Sequence, residues 1–350
     1  MKPLVSILIP AFNAEEWIAD TIKSAVRQTW PRKEIIVVDD GSRDQTVSIA
    51  RQFASKEVSV VAQANQGAAA ARNQAFSICQ GDYIQWLDAD DLLAPDKIAR
   101  QMDAVEHGAS ELLLLSSAWG KFMYRPHRAD FVPTSLWCDL SPVEWLLRKI
   151  GHNVWMQTAT WLTSRRLTEA AGPWNTQLLG DDDGEYFCRV LLASHGTRFI
   201  PEAKVFYRMS GADTLSYIGR SDRKMESQFL SIQLHIAHLR SLEDSERVRA
   251  ACIKHLQYYL PVFYADRLDL IKEMESLAAS LGGRLESPRL SWKYAWIQKA
   301  FGLRLARRAQ ILLPRCKWSI IRSWDKALSL FEGRSSDRAV SLFEVGILAG

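Results

Sequence analysis

Cysteine is sparse, and its placement is uninformative for cross-linking. Cys79, Cys138, Cys188, Cys252 and Cys316 are scattered over 350 positions, with no Cys-x-x-Cys pair and no zinc-ligand spacing. That pattern excludes a disulfide-stapled scaffold and a zinc module, and an odd number suits a reduced compartment. No run approaches the roughly 18 apolar residues that a spanning helix needs. Lys2 and Pro3 precede a short apolar stretch, without the architecture of a signal peptide. The expectation is a cytoplasmic chain, soluble or docked peripherally on the inner membrane face. Phosphate-cradling glycine motifs are missing too: no G-x-G-x-x-G follows the first apolar run, and there is no P-loop. Internal repeats and low-complexity tracts are also absent.

What is present is a chain that is 47% hydrophobic and 24% charged, enough to bury a full core and unlike a disordered sequence. The net charge of +4 is unevenly spread. Between Arg284 and Lys326 eleven Lys/Arg face only Glu286 and Asp325, so the remainder is mildly acidic. Tryptophan is abundant, at 13 residues; core filling accounts for most, while exposed ones often mark sugar, lipid or partner contacts.

The first third alternates cleanly. "LVSILIPAF", "KEIIVVDDGS", "EVSVVAQ" and "DYIQWLDADD" read as buried strands. Between them, "AEEWIADTIKSAVRQTW", "RDQTVSIARQFA" and "QGAAAARNQAFSICQG" read as helices, the second started by a Ser42/Gln45 capping box and the third closed by Gly81. This is the βαβ pattern of a doubly wound, mainly parallel α/β sheet, which binds ligands at the carboxyl ends of its strands. Further on, "PDKIARQMDAV" and "GDDDGEYFCRVLLASHG" predict helices, the latter with an acidic start. "SELLLLSSAWGKF" and "VWMQTATWLTS" predict strands, and "RFIPEAKVFYRMS" a short hairpin. Residues 130–141 read as a loop, and helical periodicity dominates from Ser221.

Carboxylates gather at the strand ends: Asp39 and Asp40 after the second, Asp88, Asp90 and Asp91 after the fourth. Such oxygens suit Mg²⁺ or Mn²⁺, which complete their shells with phosphates and water. Aspartates at a strand-to-helix junction also serve as turn formers and caps.

"VSILIPAFNAEEWI", "IIVVDDGSRDQT", "NQGAAAARNQAF" and "GDYIQWLDADDLLAPDKI" together resemble, in order and spacing, the family 2 glycosyltransferases of GT-A fold. The resemblance is strongest over about the first 100 residues and extends more weakly to about residue 216. It implies a GT-A domain over 1–216, a helical extension over 217–283 and a basic, Trp-rich helical tail over 284–350. It also implies roles. Pro10, Phe12 and Asn13, with Glu15 nearby, would form a loop against the nucleotide. Asp40 and Asp39 would accept from a uracil-type base, and Arg72 would reach the base or ribose. Asp88 would face the ribose, Asp90 would ligate Mg²⁺ or Mn²⁺, and Asp91 would assist.

An inverting transfer also needs a base on the acceptor side. Among Asp181, Asp182, Asp183 and Glu185, the family's acidic pair falls on Asp182 and Asp183, with Asp183 the base and Asp182 the alternative. The usual first member of that pair is glutamate, and here it is aspartate. Trp174, Trp155 and Trp161 are acceptor-side candidates for stacking on a sugar face. The Q-x-x-R-W motif of processive members is missing, so single-residue transfer is expected.

The resemblance implies as partners a nucleotide-sugar donor of the UDP-sugar class and a glycan or lipid-linked acceptor of cell-surface polysaccharide synthesis. In the tail, Tyr294, Ile297, Phe301, Leu305 and Leu312 share one helical face, with Lys299 and Arg307 pointing away and Arg308 interrupting the stripe. The tail suits an anionic membrane surface or a solvated helical subdomain. No nucleic-acid fold accompanies the basic run, and no nucleic acid is expected. A catalytically silent sugar-nucleotide scaffold, a glycoside hydrolase and a nucleotidyltransferase stand as the rival readings.

Overall fold

The computed structural model describes residues 2–210, 221–263, 267–287, 292–294, 296–297, 299–302 and 318–332. Strand β1 (Val5–Ala11) is buried at every position, as its unbroken apolar sequence requires of a central parallel strand. Helix α1 (Ile18–Val26), β2 (Lys33–Asp39), α2 (Thr46–Arg51), β3 (Val58–Ala62), α3 (Ala68–Ile78) and β4 (Tyr83–Trp86) follow in the anticipated alternation. β1 pairs in parallel with both β2 and β4, and β2 with β3. The sheet order is β3-β2-β1-β4-β7, where β7 (Thr163–Ser164) runs antiparallel to β4. Because β1 has β2 on one side and β4 on the other, the strand order reverses at its carboxyl end. That switch point opens a crevice between the β1, β2 and β4 loops.

A second sheet has the order β5-β8-β6, from β5 (Leu92–Leu93), β8 (Gly196–Arg208) and β6 (Leu113–Phe122). The fold is α/β with a mainly parallel first sheet and a helical C-terminal part, as expected. Helix α4 (Lys97–Glu106) precedes β6. Helices α5 (Pro142–His152), α6 (Arg165–Ala171) and α7 (Asp182–Ala193) come between β6 and β8, and α8 (Asp222–Leu242), α9 (Glu246–Phe263) and α10 (Leu268–Ser280) follow. α8 packs on α5 and α7, and α9 packs on α5 and α10.

Several local expectations are corrected. The 196–208 segment is one strand rather than a hairpin: Pro201 reads as a turn signal, but its fixed φ is compatible with extended backbone. "VWMQTATWLTS" contributes only the two residues of β7, preceded by a 3₁₀ turn at Thr158–Thr160. Helix α5 begins directly after the 130–141 loop: Ser141 accepts from the Glu144 amide and Pro142 occupies the first turn.

The Ser42/Gln45 capping box is absent. Asp44 instead accepts from the amide and hydroxyl of Thr46 at the start of α2. Gly81 lies beyond the end of α3, and its role is close approach: a Cβ there would sit 2.3 Å from Ser6 Oγ and 2.6 Å from Ser6 N. Gly81→Ala is expected to cost about 1–3 kcal/mol through overpacking against β1, read as a lowered urea midpoint with unchanged slope. An unchanged midpoint would refute it.

The chain divides into two compact units. The first comprises residues 1–120, 131–207 and 214–288 and contains every candidate site residue. The second comprises 121–130, 208–213 and 289–350. Within it Lys121 and Asp130 exchange backbone hydrogen bonds, and Asp325 accepts from the Tyr124 amide and pairs with Arg125. Its helix at 318–332 exposes Trp318, Ile320, Trp324 and Phe331. Of the apolar tail face, Ile297 is buried and Phe301 exposed; Leu305, Leu312, Arg307 and Arg308 lie outside the described residues. Among the described residues no helix is long and apolar enough to cross a membrane.

Candidate active site

The β1 loop is stitched to the β2 loop. Pro10 is buried in β1, and Phe12 follows, 47% exposed. Asn13 adopts a left-handed φ of 47°, which its short polar side chain tolerates. The Asn13 amide donates to Ser42 Oγ at 2.9 Å, and its side-chain oxygen accepts from the Arg43 amide at 2.9 Å. Glu15 accepts from the Gln45 amide, and Ala14 N donates to Thr46 Oγ1. The two motifs that begin the site thus form one rigid rim.

Asp39 and Asp40 have different surroundings. Both are buried. Asp40 is tied to its own loop: its carboxylate accepts from Gln63 Nε2 at 2.7 Å, Gln66 N at 2.9 Å and Gly67 N at 2.7 Å. It holds together the loop that leads into α3. Asp39 Oδ2 accepts from Ser42 N at 3.1 Å, while its buried Oδ1 has no partner. An orphaned buried acceptor costs free energy unless a ligand satisfies it. Asp39 is therefore the better placed of the two to accept from a ligand.

Arg72 is the hub. Projecting from α3 and only 5% exposed, it donates to Asp88 Oδ1 at 2.8 Å and to Asp182 Oδ2 at 2.6 Å. Its guanidinium also lies over the Trp174 ring, 4.4 Å from the centroid. Burial opposes its charge, but Asp182 and Asp88 outweigh that and push its pKa up. Arg72 thus bridges the β4 loop and the start of α7 through its two terminal nitrogens, while its buried Nε has no partner. Trp174 is corrected from sugar platform to core: it is 2% exposed and stacked on Tyr186, with centroids 4.0 Å apart. Trp161 is buried as well.

Asp90 is half-buried after β4. Asp91, expected to assist a metal directly, is fully buried and accepts from Gln157 Nε2. Asp183 accepts from Thr158 Oγ1 at 3.1 Å. Gln157 and Thr158 are the site residues that sequence reasoning missed. Nothing local marks them, since their partners lie 66 and 25 positions away.

At the head of α7, Asp181 takes a left-handed φ of 55° and accepts from Ser231 of α8. Glu185 is not a free acid: it pairs with Arg189 and His238, which overcome burial and hold its pKa down. Asp182 is different. Burial raises its pKa; Arg72 opposes, but repulsion from Asp183, Asp88 and Asp181 adds to the rise, to about 6.

Among the described residues no group of three or more His, Cys, Asp or Glu forms a metal cage. Mg²⁺ and Mn²⁺ bound through a diphosphate need only one or two carboxylates, and the half-buried Asp90 fits that mode.

Residues 6–123 match the family described as Glycosyl transferase family 2. A Bacillus subtilis (strain 168) protein, provisionally designated the teichuronic acid biosynthesis glycosyltransferase TuaG, is 42% identical over 105 residues, covering 29% of this chain and 42% of that protein. Chondroitin synthase of Escherichia coli is 40% identical over 103 residues, covering 29% of this chain and 15% of the synthase. The matched stretches thus span less than half of these curated relatives. S. aureus TarS 1-349 in complex with UDP-GlcNAc superimposes with a TM-score of 0.64 at 16% identity, over 79% of this chain and 80% of that one. Mannosyltransferase PcManGT from Pyrobaculum calidifontis, in complex with GDP-Man and Mn²⁺, reaches 0.51 at 20% identity, over 93% and 85%. These structural likenesses establish the fold. Residues 6–123 are thus similar to glycosyl transferase family 2, and this part of the chain is a glycosyltransferase domain.

Proposed function

We propose that the chain transfers one sugar, with inversion, from a nucleotide sugar to a glycan or lipid-linked acceptor in cell-surface polysaccharide synthesis. The donor is a UDP-sugar, in line with the UDP-GlcNAc held by TarS. The observation that carries the reading is the Arg72 bridge, which joins the β4-loop carboxylates to the acidic head of α7.

In this reading the Asp39 carboxylate accepts from the base, and Phe12 and Asn13 flank the nucleotide. Asp88, fixed by Arg72, faces the ribose, and Asp90 would hold the metal. A bound Mg²⁺ or Mn²⁺ would supply Lewis-acid neutralisation of the departing diphosphate. On the acceptor side, Asp183 takes the hydroxyl proton as the acceptor oxygen bonds to the anomeric carbon. The bond from that carbon to the phosphate oxygen breaks, and its electron pair leaves with the diphosphate. Thr158 orients Asp183, and Arg72 keeps Asp182 paired beside it.

The test is a panel of nucleotide sugars assayed for Mn²⁺-dependent hydrolysis and transfer, with Asp183→Asn as control. Turnover of one donor supports the reading. Nucleotide binding without turnover of any donor would favour a silent scaffold, and nucleotide-independent glycoside cleavage a hydrolase.

The pH dependence has a definite sign. Asp182 keeps its proton up to about 6, and protonation weakens its pairing with Arg72. Transfer is therefore expected to fall as pH drops through about 6, a limb that Asp182→Asn removes from the pH–rate profile. Stability runs the other way. The folded-state pKa lies above the unfolded value, so this group's contribution is complete below about pH 4 and lost as pH rises past about 6. Asp182→Asn is expected to raise Tm relative to the parent at about pH 8 and not at about pH 4. A pH-independent difference would count against the raised pKa.

The basic excess over residues 284–326 and the exposed Trp318 and Trp324 support docking on an anionic membrane surface. Co-sedimentation with phosphatidylglycerol vesicles, weakened by salt and absent with neutral vesicles, is the expected result; equal recovery with both would refute it.

A further inference from the structure

Trp86, Trp161 and Trp174 are packed into the core, whereas Trp155 is 40% exposed. A single exposed apolar side chain needs no explanation. Three features set this one apart.

The ring is fixed rather than loose. Its centroid lies 4.5 Å from that of Trp119 and 5.6 Å from that of Tyr207, and Trp119 and Tyr207 meet edge-on at 5.9 Å. An indole has two faces, and Trp119 covers part of one. The segment that carries it is also tied to both halves of the site. Two residues on, Gln157 holds Asp91; three residues on, Thr158 holds Asp183. Three residues of chain reach at most about 11 Å, a span that a disaccharide covers. Finally, the aromatic cluster lies in the field of the site's carboxylates: burial and the charges of Asp91, Asp90, Asp88 and Asp183 together resist ionisation of the Tyr207 hydroxyl.

We propose that Trp155 is the platform on which the acceptor's sugar ring stacks, and so a specificity-determining residue of the reaction. A pyranose presents a face of C–H groups that buries well on an immobilised indole, while its hydroxyls stay free for partners at the rim. Placed within a few residues of Thr158, such a platform would deliver a hydroxyl to Asp183. The inference rests on the transferase reading above and deepens it by naming the acceptor contact as a pyranoside.

The test is ¹⁹F NMR of the full chain labelled with 5-fluorotryptophan. The Trp155 signal is assigned by its loss in Trp155→Phe. With UDP and Mn²⁺ present, methyl hexopyranosides and methyl N-acetylhexosaminides are expected to shift this signal, and sorbitol, an open-chain polyol, is not. A stationary Trp155 signal, or an equal response to sorbitol, overturns the proposal. UDP with Mn²⁺ is expected to move other tryptophan signals. If it moves none, the donor reading fails, and the response of Trp155 to glycosides still decides the platform separately. Once a transfer assay exists, Trp155→Ala should raise the acceptor KM on the order of tenfold with a smaller change in kcat, and Trp155→Phe should recover most of that loss.

Discussion

Asp183→Asn is expected to lower sugar transfer by roughly 10²–10⁴-fold while nucleotide binding persists. The amide keeps the shape of the side chain and still accepts from Thr158, so the fold at the head of α7 is not disturbed. What it loses is the capacity to take a proton. Asp182 cannot substitute, because its Oδ2 is committed to Arg72 at 2.6 Å. Comparable rates for Asp183→Asn and the parent chain would remove Asp183 from the chemistry. Persistence of the base function in Asp183→Asn with loss in Asp182→Asn would exchange the two roles.

Asp90→Ala should weaken Mn²⁺-dependent UDP binding by more than about 100-fold. Loss of a residue that merely supports a metal ligand costs about 10–100-fold, and loss of a direct ligand should cost more. Asp88 is held by Arg72 and Asp91 by Gln157, so neither is placed to compensate. The variant should fold normally, since Asp90 is half-buried and β4 ends before it. A thermal midpoint matching the parent's, combined with lost binding, distinguishes a ligand from a structural residue.

The first half of the fold was readable because each strand is a short unbroken apolar run, and such runs have one stable destination, the centre of a parallel sheet. The strand-end carboxylates followed from that placement. What the sequence concealed was which carboxylates are already occupied. Asp40 and Asp39 are adjacent and chemically identical, yet the loop before α3 claims one and leaves an oxygen of the other bare.

Arg72 meets a partner 110 positions away. No periodicity reports such a pairing, which arises only when α3 and α7 flank the same crevice. Trp174 looked like a platform because it is aromatic in a glycine-bearing loop; its burial against Tyr186 and Arg72 is a tertiary fact. The 196–208 segment reads as a hairpin from local pattern alone, whereas the structure runs it as one strand through Pro201, whose fixed φ an extended backbone accommodates.

The most direct measurement is calorimetric titration of UDP into the chain with Mn²⁺ and with chelator, for the parent, Asp90→Ala and Asp183→Asn. The account predicts binding that requires Mn²⁺, is lost in Asp90→Ala and survives in Asp183→Asn. Equal binding in chelator, or no binding by the parent chain, would contradict the claim that these strand-end carboxylates serve one nucleotide-sugar site.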